Sequence, residues 1–468
     1  MNKRKLLIYY NNKYIKIKKI LNLIIIFIII IYDYKLIQIQ QLYLNNEYLN
    51  IQSNLSLKFH NKIKNKIRLG IYVYNLKNGG IQRATSLLLY YINKVKIFDI
   101  YLFTQINKEK NEFIIPKKIK RLSVKGRSTV NFIKQIEKKR IKILIYQFPI
   151  NNENKILNEV KKFKIIFCQH YSIFFWIYRD FEKFKMIYKA YQNSAYIVSF
   201  VSFENDYLFE KWGIRSIFMN NFITFDYNNI TPSNLSSNII LMIGRGNDKL
   251  KRFELGIKSM KMIVNRIPNS EMKIISDDNN LNNLKLLVKD LNLLDNIKFV
   301  GYTLKPEIFF QNASLHIFPT LTETFGLVLS ETKIFGIPTI LVGLDYVSIS
   351  KGGTIIIYDD SPNSIAKEAV KILLNKKYRI KLGNEARKSM MKFNNELLLN
   401  KWIKLILSIY NGDSYFIELR KKEKKISINL AKKIIKNQIK LLKMRKKKYK
   451  KINIHNFNNF TFLEQLNI

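Results

Sequence analysis

Short apolar runs alternate with helical stretches along the chain from residue 67 onward. The run Ile67–Leu76 contains several β-branched residues and ends at Gly79-Gly80, and apolar positions at helical spacing follow over residues 81–94. Further strand-like runs occur at Tyr101–Gln105, around Leu144, around Phe167, at Tyr196–Ser202 and at Arg215–Phe222. This alternation predicts βαβ units and a mostly parallel sheet.

A second alternating series follows a polar break at residues 224–238. The break contains Pro232 together with many Asn, Ser and Thr residues, which is typical of an interdomain linker. Strand-like runs then occur at Asn238–Gly246, 271–277, 296–302, Ser314–Pro319 and 337–343. Two α/β halves of comparable length predict two Rossmann-like domains that face a cleft at the carboxyl ends of their strands.

The pattern places the chain in the α/β class and divides it into six segments. They are a basic and apolar N-terminal extension with a linker (1–66), a Rossmann-like domain (67–223), a linker (224–238), a second Rossmann-like domain (239–383), an amphipathic helix (384–411) and a basic helical tail (412–468).

The N-terminal extension has features of a membrane-directed segment. Residues 1–19 hold seven basic side chains and no acidic one, and the uncharged run Ile20–Tyr32 that follows is 13 residues long. As a helix this run would span about 20 Å, less than the roughly 30 Å of a hydrocarbon core. A basic flank before an apolar run fits a signal peptide or a single anchor, although no small-residue cleavage site follows. The alternative is an Ile-rich extension that packs on the domain.

The chain is strongly basic, with 81 Lys and Arg against 34 Asp and Glu and a net charge of +47. It is also rich in Ile, Asn, Tyr and Phe, which share A/T-rich codons with Lys, so part of this charge reflects compositional bias. The charge predicts attraction to anions but no specific nucleic acid. The single cysteine excludes a disulfide framework, four histidines leave little for a zinc site, and no metal site is predicted.

The basic tail has apolar residues at helical spacing among its lysines. They are Ile434, Ile435, Ile439 and Leu442. This arrangement predicts a basic helix on an anionic membrane surface. The alternative is a solvated lysine-rich tail.

The stretch Phe318–Leu341 is typical of a phosphate-binding strand, loop and helix. A helix is predicted to open near Phe325-Gly326, where the backbone N–H groups of Phe325, Gly326 and Leu327 and the helix dipole suit a phosphate. Glu331 lies about 7–8 Å further along the helix axis, near the distance from a diphosphate to its ribose, and a carboxylate accepts from two hydroxyls. Glu323, before the helix, is placed to accept from the hydroxyls of a sugar.

Two further loops are predicted to reach the same phosphate site. Arg245 follows Gly244 at the end of a strand, and Lys251 is expected to begin the next helix, so that two cations converge on a strand-end loop. Gly79-Gly80, after the first strand, is placed to present backbone N–H groups from across the cleft.

These residues resemble a known family. The block Glu323-x7-Glu331, with Phe325-Gly326-Leu327 inside it and Gly336-x-Pro338 behind it, resembles the retaining GT-B glycosyltransferases of family 4 (glycosyl transferase group 1). Gly244-Arg245 with Lys251 is similar to that family's phosphate site, Gly79-Gly80 to its N-terminal loop, and Asn220-Asn221-Phe222 to the segment before its linker. The resemblance covers roughly residues 67–411.

The resemblance implies a hexosyl transfer from a nucleotide diphosphate sugar to a glycan or lipid-linked acceptor, with retention of configuration and without a metal or other cofactor. Arg245 and Lys251 would stabilise the departing diphosphate, Glu331 would hold the ribose, and Glu323 would orient the donor sugar. His170 is the candidate in the acceptor half, and its pKa class allows proton handling near neutrality. We expect a membrane-associated enzyme at the cytosolic face, with a possible single N-terminal anchor.

Two other functions fit parts of the sequence. One is a basic protein that binds nucleic acid or membrane on a degenerate transferase fold; the other is a phosphorylase-like enzyme, for which no pyridoxal phosphate lysine is evident. The sequence also departs from the family at Lys333, where the family usually has a small residue. If Lys333 faced the cleft, donor choice would differ.

Overall fold

The computed structural model describes residues 66–125, 129–147, 162–175, 191, 196–246, 248–277, 281–422 and 428–448. The apolar run Ile20–Tyr32 and the end of the basic tail lie outside these residues. No helix in the described part of the chain is both long enough and apolar enough to cross a bilayer.

The first sheet is wholly parallel over the residues described. Its strands are β1 (Ile67–Val73), β2 (Phe98–Thr104), β3 (Lys120–Ser123), β4 (Ile143–Tyr146), β5 (Lys164–Gln169), β6 (Tyr196–Ser199) and β7 (Ser216–Phe218), in the order β3-β2-β1-β4-β5-β6-β7. Helices α1 (Gly80–Ile92), α2 (Thr129–Lys138) and α3 (Ser202–Trp212) belong to this half. The central strands are continuous apolar runs because helices cover both faces of such a sheet.

The second sheet repeats this plan. Its strands are β8 (Ile239–Ile243), β9 (Glu271–Ile275), β10 (Ile297–Phe299), β11 (Leu315–Phe318), β12 (Thr339–Val342) and β13 (Thr354–Ile357), all parallel, in the order β10-β9-β8-β11-β12-β13. Its helices are α4 (Phe253–Val264), α5 (Asn282–Asp290), α6 (Glu307–Phe310), α7 (Leu327–Ile334), α8 (Pro362–Leu374) and α9 (Lys376–Met390). The predicted pair of Rossmann-like halves is confirmed.

The strand order reverses between β1 and β4 in the first sheet and between β8 and β11 in the second. Such reversals leave a crevice at the carboxyl ends of the strands, where ligands bind. Two edge strands, β3 and β13, were not predicted from the sequence. β3 is partly exposed and carries Lys120 and Arg121, and β13 follows β12 through a loop instead of a helix, so neither matched the expected pattern.

The prediction of one continuous helix over residues 384–411 is wrong. Helix α9 ends at Met390, and α10 (Asn395–Asn411) begins after Asn394, whose side chain accepts hydrogen bonds from the backbone N–H groups of Glu396 and Leu397. An Asn at this position is a strong helix N-cap, which explains the break. Asn395 then donates to the backbone carbonyl of Ile223, so the chain returns to the first domain.

Helix α11 (Asp413–Lys421) continues along the first domain. Arg420 is completely buried, and its guanidinium lies 2.5 Å from the carboxylate of Asp206 on α3. At the other end of α11, Asp413 pairs with Arg215 at 2.9 Å. The chain from α10 onward is therefore anchored to the first domain.

Helix α12 (Ile428–Lys448) covers α3 with the side that the sequence analysis assigned to a membrane. Ala431 and Ile435 are fully buried, and Ile434 and Ile439 pack against the same core. The membrane-binding interpretation is therefore wrong for Ile434, Ile435 and Ile439, because protein packs against them, and the side chain of Leu442 lies outside the described part of the structure. Gln438, on the same side of the helix, donates to the Gly343 carbonyl and to Asp345 in the loop after β12.

The buried pair Arg420–Asp206 allows a test of this C-terminal anchor. Replacing Arg420 with Met leaves the Asp206 carboxylate buried without its cation, and we expect a loss of about 3–5 kcal/mol in the free energy of unfolding. Urea denaturation measures it. The control is Lys421→Met, which removes an exposed cation from the same helix and should change stability little. Equal effects of the two variants would contradict the anchor.

Candidate active site

A cavity of about 260 Å³ opens between the carboxyl ends of the two sheets. Ten of the eleven residues singled out from the sequence line it: Gly79, Gly80, His170, Gly244, Arg245, Lys251, Glu323, Gly326, Leu327 and Glu331. The exception is Phe325, whose side chain is fully buried and packs edge-on against Phe393. The candidate residues therefore converge from four chain segments, which follow β1, β5, β8 and β11.

The amino end of α7 forms one wall of this cavity. The helix begins at Leu327, two residues later than predicted, and Gly326 is its N-cap with φ 81°. A side chain is strained in this left-handed conformation, which favours glycine. No side chain in the described residues caps the helix, so the first N–H groups and the positive end of the dipole face the cavity, where they suit an anion.

The two predicted phosphate cations reach the cavity from the loop after β8. Lys251 ends a single 3₁₀ turn instead of opening α4 as predicted, and its Nζ lies 3.2 Å from Oε2 of Glu323. Arg245 is half-exposed and lies 2.9 Å from Asp248. Both cations therefore line the cavity, and each is paired with a carboxylate.

Arg252, which the sequence analysis overlooked, fixes this loop to the one that carries Glu323. Its backbone is left-handed, with φ 50°, and its buried guanidinium donates to the Pro319 carbonyl at 2.5 Å and pairs with Asp360 at 2.7 Å. Because the residue lies next to Lys251, this pairing sets the position of that cation relative to α7. A Lys- and Arg-rich sequence gave no signal to separate Arg252 from its neighbours.

Glu331 is buried, 1% exposed, and its Oε1 has two partners. The hydroxyl of Thr224 donates to it at 2.7 Å, and Nε of Arg83 lies 3.2 Å away. Burial raises the pKa of Glu331, and Arg83 and Thr224 oppose that shift. Arg83 was also overlooked, although its place three residues after Gly80 puts it in the first turns of α1, beside the same loop.

Across the cavity, the Gly79-Gly80 loop precedes α1. Gly79 is the N-cap, with φ 141°, and a Cβ there would lie 2.5 Å from Oε1 of Gln82. The glycine therefore allows the backbone to present the start of α1 to the cavity without a side chain in between.

His170 lies at the end of β5 and lines the cavity, as predicted, but its protonation differs from the prediction. Its Nε2 lies 2.6 Å from Oε1 of Gln147, and its ring stacks on Phe200. Burial lowers the pKa of His170 to about 3. The imidazole is therefore neutral near pH 7, so the expected titration near neutrality is wrong, and the ring can act only through hydrogen bonds.

Glu204 on α3 supports the segment that carries His170. It is buried, and it accepts hydrogen bonds from Nε2 of Gln169 at 3.0 Å and from the backbone N–H of Ile173 at 2.9 Å. Burial raises its pKa to about 8. Burial thus favours the protonated form of this carboxyl group, which lies behind the first-domain side of the cavity.

Lys333 does not face the cavity. Its side chain is buried, and Nζ donates to the backbone carbonyls of Ile349 at 2.6 Å and Lys351 at 2.5 Å. Burial, with a smaller contribution from Lys392, lowers its pKa to about 7. Lys333, where this sequence differs from the family, therefore stabilises the loop after β12.

That loop, residues 343–353, connects the two domains. Tyr346 packs edge-on against Phe174 and Phe203 of the first domain, and its hydroxyl accepts from the backbone N–H of Glu323. The loop therefore joins the first-domain side of the cavity to Glu323. Among the described residues, no group of three His, Cys, Asp or Glu side chains is arranged to hold a metal ion.

The pKa of Glu204 predicts a pH dependence of stability. Because the folded value of about 8 lies above the ordinary value of 4.5, the folded protein holds an extra proton between these pH values. Its stability therefore falls as the pH rises through that window. We expect Glu204→Gln to reduce the fall in thermal midpoint between about pH 5 and pH 8. Glu210→Gln, an exposed position on α3, should keep the wild-type profile; identical profiles for all three proteins would refute the assignment.

Comparisons with known proteins agree with this geometry. Residues 225–389 match the family model described as "Glycosyl transferases group 1". An uncharacterized glycosyltransferase of Haemophilus influenzae is 27% identical over 117 residues, which are 24% of this chain and 33% of that protein. The poly(glycerol-phosphate) alpha-glucosyltransferase of Bacillus subtilis is 22% identical over 188 residues, or 39% of this chain and 27% of that protein. The chain thus spans about a third or less of the curated relatives it matches.

Solved structures share the fold over a larger part of the chain. Sucrose-phosphate synthase from Thermosynechococcus elongatus superimposes with a TM-score of 0.60 at 15% identity, covering 74% of this chain and 100% of that one. S. aureus TarM superimposes with a TM-score of 0.59 at 13% identity, covering 73% and 99%. Residues 225–389 are therefore similar to the glycosyl transferases group 1 family, and the chain has the two-sheet GT-B fold of these solved structures.

Proposed function

We propose that this protein is a retaining glycosyltransferase that moves a sugar from a nucleotide diphosphate sugar to a glycan or lipid-linked acceptor. One observation carries the proposal: the uncapped amino end of α7, Lys251 and the two carboxylates Glu323 and Glu331 line a single cavity between the sheets. This combination suits a diphosphate that has a hydroxyl-bearing group on each side.

The donor would lie along the start of α7. The diphosphate accepts hydrogen bonds from the N–H groups of Leu327 and Val328, and Lys251 and Arg245 supply positive charge. Glu331 accepts from the ribose hydroxyls on one side, and Glu323 accepts from the donor sugar on the other. When the sugar hydroxyls bind Glu323, Lys251 leaves that carboxylate and pairs with the phosphate instead.

The pKa of His170 supports one route for the acceptor proton. The acceptor oxygen forms its bond to the anomeric carbon on the face from which the phosphate oxygen departs, through an oxocarbenium-like transition state. His170, with a pKa of about 3, is too weak a base to take the proton from the acceptor hydroxyl. The proton therefore passes to the departing phosphate oxygen, and Lys251 and the α7 dipole stabilise the remaining charge.

The acceptor would approach from the first domain, beside His170. A net charge of +47 favours an anionic acceptor or an enzyme held at an anionic membrane surface on the cytosolic side. Two relatives are named for polymers that carry phosphate and hydroxyl groups, poly(glycerol-phosphate) and poly(ribitol-phosphate). We therefore propose a hydroxyl group of an anionic glycan or lipid-linked polymer as the acceptor.

The donor base is found by a thermal-shift screen of UDP, GDP, ADP, CDP and dTDP, each with its monophosphate. A ligand that binds only the folded protein raises its stability, so one diphosphate should raise the thermal midpoint more than its monophosphate does. Steeply salt-dependent RNA or DNA binding, with no response to any diphosphate, would instead indicate a basic binding protein on a degenerate transferase fold.

Turnover of the matching sugar nucleotide tests Glu331 directly. Replacing Glu331 with Gln removes the anionic acceptor for the ribose, and we expect roughly a 100-fold loss of diphosphate release, the size of one charged hydrogen bond. Glu385→Gln, an exposed carboxylate on α9, is the matched control and should retain wild-type turnover. A folded Glu331→Gln protein with normal turnover would end this assignment.

A further inference from the structure

Arg83 connects the two domains through the cavity. It belongs to α1 of the first domain, and its guanidinium lies 3.2 Å from Glu331 on α7 of the second. The side chains are 17% and 1% exposed, so little water screens this ion pair. Arg83 therefore occupies one of the two oxygens of Glu331 that the ribose would use in the proposed function.

The other cations of the cavity have the same kind of partner. Arg245 and Lys251 lie 2.9 Å and 3.2 Å from the carboxylates of Asp248 and Glu323. Each cation that lines the described cavity, Arg83 included, is thus balanced by one carboxylate. A diphosphate adds at least two negative charges, which these paired cations can neutralise only by changing partners.

Donor binding would release Arg83 in particular. Oε1 of Glu331 already has Thr224 and Arg83 as partners, so a ribose that uses both carboxylate oxygens competes with Arg83 for Oε1. A ribose that binds Glu331 through two hydroxyls would therefore displace Arg83. A guanidinium that leaves a buried carboxylate needs another anion, since an unpaired charge in this cavity is costly.

The diphosphate is within reach of the displaced side chain. Glu331 and Leu327, where the phosphate-binding end of α7 begins, are four residues apart, or about 6 Å along the axis. A change of rotamer in a long side chain covers that distance. Arg83 lines the cavity, its guanidinium lies 5.8 Å from the centre of the Phe113 ring, and the guanidinium fork matches phosphate oxygens.

We propose that Arg83 is a third phosphate-binding cation, which exchanges Glu331 for the donor diphosphate when the ribose binds. This inference rests on the proposed function, because it assumes a nucleoside diphosphate in the cavity. It makes the first domain a direct ligand of the leaving group. Arg83 would then have opposite effects on the binding of two ligands. It would strengthen the binding of a nucleoside diphosphate and weaken the binding of a nucleoside, which competes with it for Glu331.

The test compares binding of a nucleoside diphosphate and of its nucleoside to wild type, Arg83→Met and Arg83→Lys by isothermal titration calorimetry. The probes are UDP, GDP and ADP, with uridine, guanosine and adenosine. We expect Arg83→Met to weaken the bound diphosphate about 10- to 100-fold, the range of a charged hydrogen bond, while the nucleoside binds as well as to wild type or more tightly. Arg83→Lys should recover part of the diphosphate affinity.

Arg266→Met, an exposed site at the end of α4, is the control for loss of a positive charge and should match wild type. Equal weakening of diphosphate and nucleoside in Arg83→Met would overturn the proposal in favour of a structural role. Tighter diphosphate binding would overturn it in favour of competition alone. If wild type bound no diphosphate, the proposed function would fall as well; if wild type bound one and Arg83→Met bound it equally, only the role of Arg83 would fall.

Discussion

The free amino end of α7 is the feature on which the rest of the site depends. Its unpaired N–H groups and dipole create positive potential at one point of the cavity wall, and Gly326 keeps that point clear of side chains. The positions of the surrounding charged residues are explained by their relation to this helix end. Lys251 and Arg245 add to the potential, and the carboxylates Glu323 and Glu331 flank it on the sides where hydroxyl groups would lie.

The cavity depends on connections between the domains as much as on either sheet. Helices α10 to α12 return from the second domain to the first, and Gln438 of α12 contacts the loop after β12. That loop is braced by Lys333, and its Tyr346 reaches both Phe174 and the backbone of Glu323. The tail that composition suggested for a membrane surface thus contributes to the geometry of the site.

Periodicity was enough to predict the two parallel sheets and most of their strands, because buried strands and amphipathic helices differ in spacing. The spacing of glycines, carboxylates and cations at strand ends, together with the family resemblance, was enough to select ten residues that line one cavity. Arg83, Arg252 and the buried Glu204 were not recognisable, since their roles depend on partners distant in sequence. The pKa of His170 likewise depends on burial, which no local motif reports.

The position of a bound diphosphate tests the central claim most directly. In a crystal structure of the protein with the nucleoside diphosphate that stabilises it, we expect the phosphate oxygens within hydrogen-bonding distance of the backbone N–H of Leu327 and of Nζ of Lys251. We also expect the ribose hydroxyls to lie on Glu331. A diphosphate bound away from the start of α7, with Lys251 still paired to Glu323, would contradict the account.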